Sequence, residues 1–160
     1  MRIYLAGPLF TLAQRNFNIA LAALLEGEPY HHNVWLPQTD EQDPNEEKAS
    51  FDRDVEGIEW SDVIIANMDG ADPDSGTCWE CGYAYARKIG VVIFRTDWRA
   101  AGKAGADSYN LMMTQSADER LPGDRDRDLA TLAAMLHDAA ERAREKRPRS
   151  ARPELGSQNR

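Results

Sequence analysis

Short apolar runs alternate with longer stretches of helical periodicity along this chain. Residues 3–6 (IYLA) are continuously apolar and stop at Gly7-Pro8, which predicts a short buried strand. Residues 11–25 carry Phe17, Leu21 and Leu24 at helical spacing, and Gly27 stands where a C-cap belongs. Residues 34–36 form a second strand candidate, ended by Pro37, and the acidic stretch 39–48 lacks apolar periodicity and reads as loop. Ser50 is the predicted N-cap of a helix carrying Phe51, Val55 and Ile58. Residues 63–66 (VIIA) and 91–94 (VVIF) read as strands buried on both faces. The turn-rich segment 69–76 leads between them into a helix over 77–88. Residues 98–107 are a Gly/Ala-rich loop, and a last helix over 124–147 buries Leu129, Leu132, Met135 and Leu136.

Strand–helix alternation implies right-handed crossovers and a parallel sheet of about five strands with helices on both faces. Ligands of such sheets bind beyond the carboxyl ends of the strands. The loops after Ala6, Leu36, Asn67 and Phe94 are therefore where chemistry is expected.

The length of 160 residues suits one domain, taken as 1–147, followed by a basic, flexible tail over 148–160. From Arg142 onward the chain has seven of its 19 Lys and Arg but only two of its 27 Asp and Glu, so the body carries a net charge of −13. A surface that negative repels a phosphate backbone, which excludes nucleic acid as a partner of the body. No apolar run reaches the roughly 20 residues of a membrane span. The opening run MRIYLAG is too short for a signal peptide, and two cysteines make no disulfide framework, so a cytoplasmic protein with no membrane association is expected.

The segment DPDSGTCWECGYAYA is the richest in chemistry. Glu80 lies near the start of its helix, where the dipole favours a carboxylate and keeps it ionised as a nucleophile. The small residues Gly82, Ala84 and Ala86 would let this helix pack closely and leave room for a ligand. Asp74 precedes Glu80 at the same strand end, and Asp54 lies on the preceding helix. Two carboxyl groups about 5–5.5 Å apart are what retaining glycosyl chemistry needs. The bland alternatives are a surface Glu improving a helix N-terminus and a solvated acidic rim. Cys78-x-x-Cys81 could be a redox pair or half a zinc site, but no second ligand pair exists, and two small side chains flanking Glu80 is the preferred reading. His31-His32 reads as solvated, and Gly70 to Gly76 lacks the spacing of a phosphate-binding loop.

Together IYLAGPLF, DRDVEGIEWSDVIIANMDG and DSGTCWECGYAYA resemble the nucleoside 2-deoxyribosyltransferase family over roughly residues 2–113. The resemblance implies a flavodoxin-like, doubly wound α/β fold and exchange of nucleobases on 2′-deoxyribonucleosides with retention, through a covalent deoxyribosyl-glutamate. It makes Glu80 the nucleophile, Tyr4 its hydrogen-bonding partner, Asp54 the aspartate associated with the base and Asp74 the one near sugar and base. Gly7 and Gly76 are assigned to the substrate, although the strand-one turn Gly7-Pro8-Leu9-Phe10 differs from several members and leaves base preference open, and Gln38 is matched to the base. Asn110 and Met112 resemble an N-L-M segment that a neighbouring subunit inserts against the sugar, which implies a homo-oligomer. The implied partners are a 2′-deoxynucleoside and a free nucleobase in a salvage reaction, and neither a metal nor an organic cofactor is required.

Two departures bear on substrate. Some relatives end in a tyrosine that completes a neighbour's site, whereas this chain has no tyrosine after Tyr109. Related hydrolases of deoxynucleoside 5′-monophosphates offer serines and a Gly-Ser-Arg-like turn to the phosphate; here stand Ala6-Gly7-Pro8 and Asp74. A carboxylate about 4 Å from a phosphate costs on the order of 4 kcal/mol at an effective dielectric of 20, which favours a free 5′-hydroxyl, although Ser75 and Arg15 keep the phosphate reading open. An N-glycoside hydrolase of deoxynucleosides or their monophosphates and a non-catalytic nucleotide sensor are the alternatives.

Overall fold

The computed structural model describes residues 1–39, 47–97, 110–124 and 126–152. Strands β1 (Arg2–Ala6), β2 (Asn33–Trp35), β3 (Val63–Asn67), β4 (Gly90–Phe94) and β5 (Glu119–Leu121) form one sheet in the order β2-β1-β3-β4-β5. Every pair is parallel, with Tyr4 opposite Trp35 on one side and Ile64 on the other. Helices α1 (Leu12–Glu26), α2 (Glu47–Trp60), α3 (Ser75–Ala86), α4 (Leu111–Ser116) and α5 (Leu129–Lys146) connect and cover it. This is the doubly wound, flavodoxin-like order, and its winding reverses between β1 and β3.

The period-2 alternation of the strands divides the core in two. Ile3, Leu5, Val63, Ile65, Val92 and Phe94 pack against α1 and α5, through Leu21, Leu25, Leu132 and Leu136. Tyr4, Ala6, Ile64, Ala66, Val91 and Ile93 face the other layer, against Ile58 of α2, Cys81 and Ala84 of α3 and Met113 of α4. Tyr4 is thus the residue of β1 that carries a hydroxyl into a dry layer, where it needs a partner.

Several boundaries differ from the sequence expectation. Helix α1 starts as predicted, with Thr11 and Gln14 forming a capping box, and Gly27 is its C-cap. Helix α2 begins at Glu47, so Ser50 lies inside it, its Oγ accepting from Arg53 rather than capping. Asp74, not a residue nearer Thr77, caps α3, and Asp128 caps α5, which starts five residues later than expected. Neither β5 nor α4 was legible: ERL buries only Leu121 fully, and α4 is a single short helix. Residues 98–107 and most of 39–48 lie outside the described residues.

One expectation at the far end of the sheet is corrected. His32 is buried, its Nε2 2.9 Å from His137 Nδ1 and its Nδ1 3.3 Å from the Met1 amine. Burial, with the positive amine beside it, pushes its pKa down to about 4. His31 is exposed, paired with Glu28 at 3.0 Å. Among the described residues of the basic segment, Arg149 donates to Trp60 O and Arg152 to Glu59 O and Ser61 O, so two guanidinium groups cover the last carbonyls of α2.

Candidate active site

The loops after β1 and β3 meet at the point where the winding reverses. Gly7 follows β1, and a Cβ there would stand 3.1 Å from Asn67 Cβ, so a side chain would push the two strand ends apart by a few tenths of an ångström. After β3 the Asp69 carboxylate accepts from Thr96 N (2.7 Å), Thr96 Oγ1 (2.5 Å) and Asp97 N (3.0 Å), tying this loop to the end of β4. Gly70 turns the chain with a φ of +115°, a conformation that favours glycine, and its N–H donates to Asp97 Oδ2. The loop so fixed delivers Asp74 to the N-terminus of α3, where Oδ2 accepts from Thr77 N (2.9 Å) and Thr77 Oγ1 (3.1 Å).

Glu80 lies in the second turn of α3, on the face toward the sheet. Its Oε1 accepts a 2.6 Å hydrogen bond from the Tyr4 hydroxyl, which is fully buried. The dipole expectation for this carboxyl is corrected by its surroundings. Burial raises its pKa to about 7, the Asp54 and Asp74 charges push the same way, and the Tyr4 bond opposes them. Desolvation wins because the helix dipole acts mainly within the first turn, whereas the dry layer surrounds the group. Burial and the neighbouring Glu80 charge likewise hold the Tyr4 phenol far above its ordinary range.

Two hollows of about 220 and 270 Å³ open beside this pair and share Asp54, Gly76 and Glu80 in their walls. The first is completed by Gly7, Leu9, Phe10, Pro37, Asp74 and Thr77. The second is completed by Phe51 and Trp79, two half-exposed aromatic rings with centroids 5.4 Å apart. Asp54 reaches the site from α2. That helix is braced against α3 by Glu59, whose carboxylate accepts from Tyr83 Oη (2.7 Å) and Arg87 Nε (2.5 Å). A half-buried carboxyl pulled toward neutrality, a phenol hydrogen-bonded to it and two further carboxylates around one cleft suit displacement at an acetal-like carbon.

A family model described as nucleoside 2-deoxyribosyltransferase matches residues 3–122. The chain belongs to the nucleoside 2-deoxyribosyltransferase family. It is 33% identical over 116 residues to the uncharacterized protein UU063 of Ureaplasma parvum serovar 3, covering 62% of this chain and 72% of that one. The solved structure of a conserved protein from Enterococcus faecalis V583 is similar, at 25% identity and a TM-score of 0.68 over 88% of this chain and 97% of the other. A 2-deoxyribosyltransferase from Bacillus psychrosaccharolyticus also has 25% identity, with a TM-score of 0.61 over 83% and 90% of the two chains.

Within this deoxyribosyltransferase-family site the structure brings Tyr4, Gly7, Asp54, Asp74, Gly76 and Glu80 together. Gln38 is not in either wall: its Oε1 accepts from Asn18 and its Nε2 donates to Arg15 O. Asn110 caps α4 by accepting from Met112 N, and both residues are exposed, outside the walls of this chain's own hollows. Sequence reading missed Leu9, Phe10, Pro37, Thr77, Phe51 and Trp79. The first three were signalled only by their position after a strand, the others by adjacency to Asp54 and Glu80. Of the small residues on α3, only Ala84 is buried; Gly82 and Ala86 are exposed and make no room at the site. The cysteines contradict a redox pair, since burial pushes both thiols up. Among the described residues no group of three or more His, Cys, Asp or Glu is placed to hold a metal, and no helix is long and apolar enough to cross a membrane.

Proposed function

We propose that this chain exchanges nucleobases on 2′-deoxyribonucleosides through a deoxyribosyl ester on Glu80, with retention. The observation that carries the reading is the Tyr4–Glu80 pair set between Asp54 and Asp74 in the cleft. A Glu80 oxygen attacks the anomeric carbon as the N-glycosidic bond breaks, and the departing base takes a proton. A second base then gives up a proton and attacks the same carbon, the ester bond breaks, and Glu80 is regenerated. Two displacements give net retention.

Asp54, the aspartate that the family resemblance associates with the base, is assigned the proton transfers, and Asp74, which accepts two hydrogen bonds from Thr77, serves as a fixed acceptor beside the sugar. The apolar wall of Leu9, Phe10 and Pro37 suits a planar base. The carboxylates in that wall, and the lack of any Lys or Arg among its described residues, favour a neutral 5′-hydroxyl over a phosphate. Asn110 and Met112 are assigned to a neighbouring copy's site, and the enzyme is placed in cytoplasmic salvage as a homo-oligomer.

Chromatography of the protein with 2′-deoxyinosine, with and without adenine, tests this. Deoxyadenosine formed only with both adenine and protein supports transfer. Free hypoxanthine and deoxyribose released regardless of adenine would make it a hydrolase, and cleavage confined to monophosphates would overturn the assignment of Asp74.

A further inference from the structure

The segment over residues 8–11 has no strand partner, yet most of its backbone polar groups are held by side chains. Asn18 Nδ2 donates to Pro8 O at 3.2 Å, and Arg15 Nη1 donates to Leu9 O at 3.2 Å and Phe10 O at 3.3 Å. Gln14 Oε1 accepts from Phe10 N and Thr11 N at 3.1 and 2.9 Å. All three side chains come from α1, so the segment moves with that helix.

Asn18 is the buried member, 5% exposed, and it also donates to Gln38 Oε1 at 3.0 Å. Gln38 returns its Nε2 to Arg15 O at 2.9 Å, closing a ring of amides between α1 and the turn that carries Pro37. The two pieces of chain that this ring joins are those that present Leu9, Phe10 and Pro37 to the cleft opposite Glu80. A buried primary amide has two N–H donors, and here both have acceptors on the pieces to be aligned. Gln38 therefore acts one layer behind the wall and does not face the ligand.

We propose that Asn18 is a positioning residue for nucleobase selection: its amide fixes the gap between Leu9–Phe10 and Pro37, and this gap sets which base fits over Glu80. The proposal rests on the function proposed above. It acts on binding and not on the displacement, since the hydrogen bonds of the ring run among Pro8, Arg15, Asn18 and Gln38.

Asn18→Ala and Gln38→Met, made in the full chain, test it, the second keeping the side-chain length at a half-buried position with less risk to folding. Either variant should raise KM for a purine deoxynucleoside about tenfold with kcat within about twofold, the size expected from losing a hydrogen bond or two that hold a binding wall. The ratio of kcat/KM between purine and pyrimidine donors should shift by a similar factor, and the acid limb of the pH profile should stay in place. In protein labelled with fluorinated phenylalanine, the four residues Phe10, Phe17, Phe51 and Phe94 give separate signals. That of Phe10 should shift or broaden in both variants while that of Phe51 holds. Unchanged KM and donor ratio in a folded Gln38→Met protein would overturn the proposal. So would a fall in kcat with KM unmoved, which marks a merely structural role. If the unaltered protein turns over no nucleoside, the functional reading fails separately, and the positioning claim then stands or falls on the Phe10 signal.

Discussion

The Tyr4 hydroxyl on β1 donates to Glu80 Oε1 on α3 at 2.6 Å, joining the sheet to the helix across an otherwise apolar layer. This bond favours the ionised form of Glu80, against burial and two neighbouring carboxylates. Tyr4→Phe should therefore push the Glu80 acid further up. A pH profile of kcat/KM should show an acid limb near 7 in the unaltered protein and a higher one in the variant. At neutral pH the rate should fall roughly 10- to 100-fold, the worth of a hydrogen bond to a charged group, and recover in part by pH 9. An unmoved limb would remove Tyr4 from this role.

Glu80→Gln should abolish turnover and stabilise the fold at the same time. A carboxyl raised from 4.5 to about 7 on folding binds its proton more tightly in the native state. Stability then falls as pH rises from about 4.5 to 7, by about 3 kcal/mol in all. The amide has no charge to bury and its oxygen still accepts from Tyr4. The variant should match the unaltered protein at pH 4.5 and exceed it in Tm at pH 8, by roughly 6–12 °C for a chain of this size. Equal melting curves at pH 8 would contradict the burial argument.

Asp74→Asn separates the two duties of that residue. Asparagine caps a helix as well as aspartate does, so stability should change by less than about 0.5 kcal/mol. The lost charge was raising Glu80, so the acid limb should move down in pH. A large drop in Tm would mean that the carboxylate charge, and not the cap, holds the start of α3.

Glu59→Ala should loosen α2 from α3. It removes an acceptor shared by Tyr83 and Arg87 at 2.7 and 2.5 Å and leaves the Arg87 side chain, 15% exposed, without that carboxylate. A loss of about 2 kcal/mol, or roughly 4–8 °C in Tm, is expected, together with reduced kcat as Asp54 loses its fixed distance from Glu80. Calorimetry beside steady-state kinetics checks both.

His32 gives the opposite pH slope. Its folded pKa of about 4 lies below the ordinary 6.5, so the unfolded chain takes up the proton first and stability falls as pH drops from 6.5 toward 4. Replacing His32 with Gln, which cannot be charged, should flatten this acid-side loss in a urea titration at pH 5 compared with pH 7. A variant that keeps the full slope would show that another group titrates there.

The period and order of apolar residues were enough to identify the first four strands and the helices between them, because a strand buried on both faces or a long amphipathic helix writes its environment into every position. Glu80, Asp74 and Asp54 were legible as one group of carboxylates from their places around α3 and on α2, and the structure gathers all three at one cleft. Neighbours distant in sequence settled the rest. Strand β5 has three residues and one fully buried side chain, too little for any period. The charge state of Glu80 depends on how much water the layer excludes, and that reverses what the helix dipole alone suggests. Gln38 and Asn18 look like ordinary polar residues until α1 and the Pro37 turn are brought together. His32 becomes a buried group only when α5 lays His137 on it. Local propensity is encoded residue by residue, whereas desolvation and partner choice belong to pairs such as Tyr4 and Glu80, 76 positions apart, which only packing brings within reach.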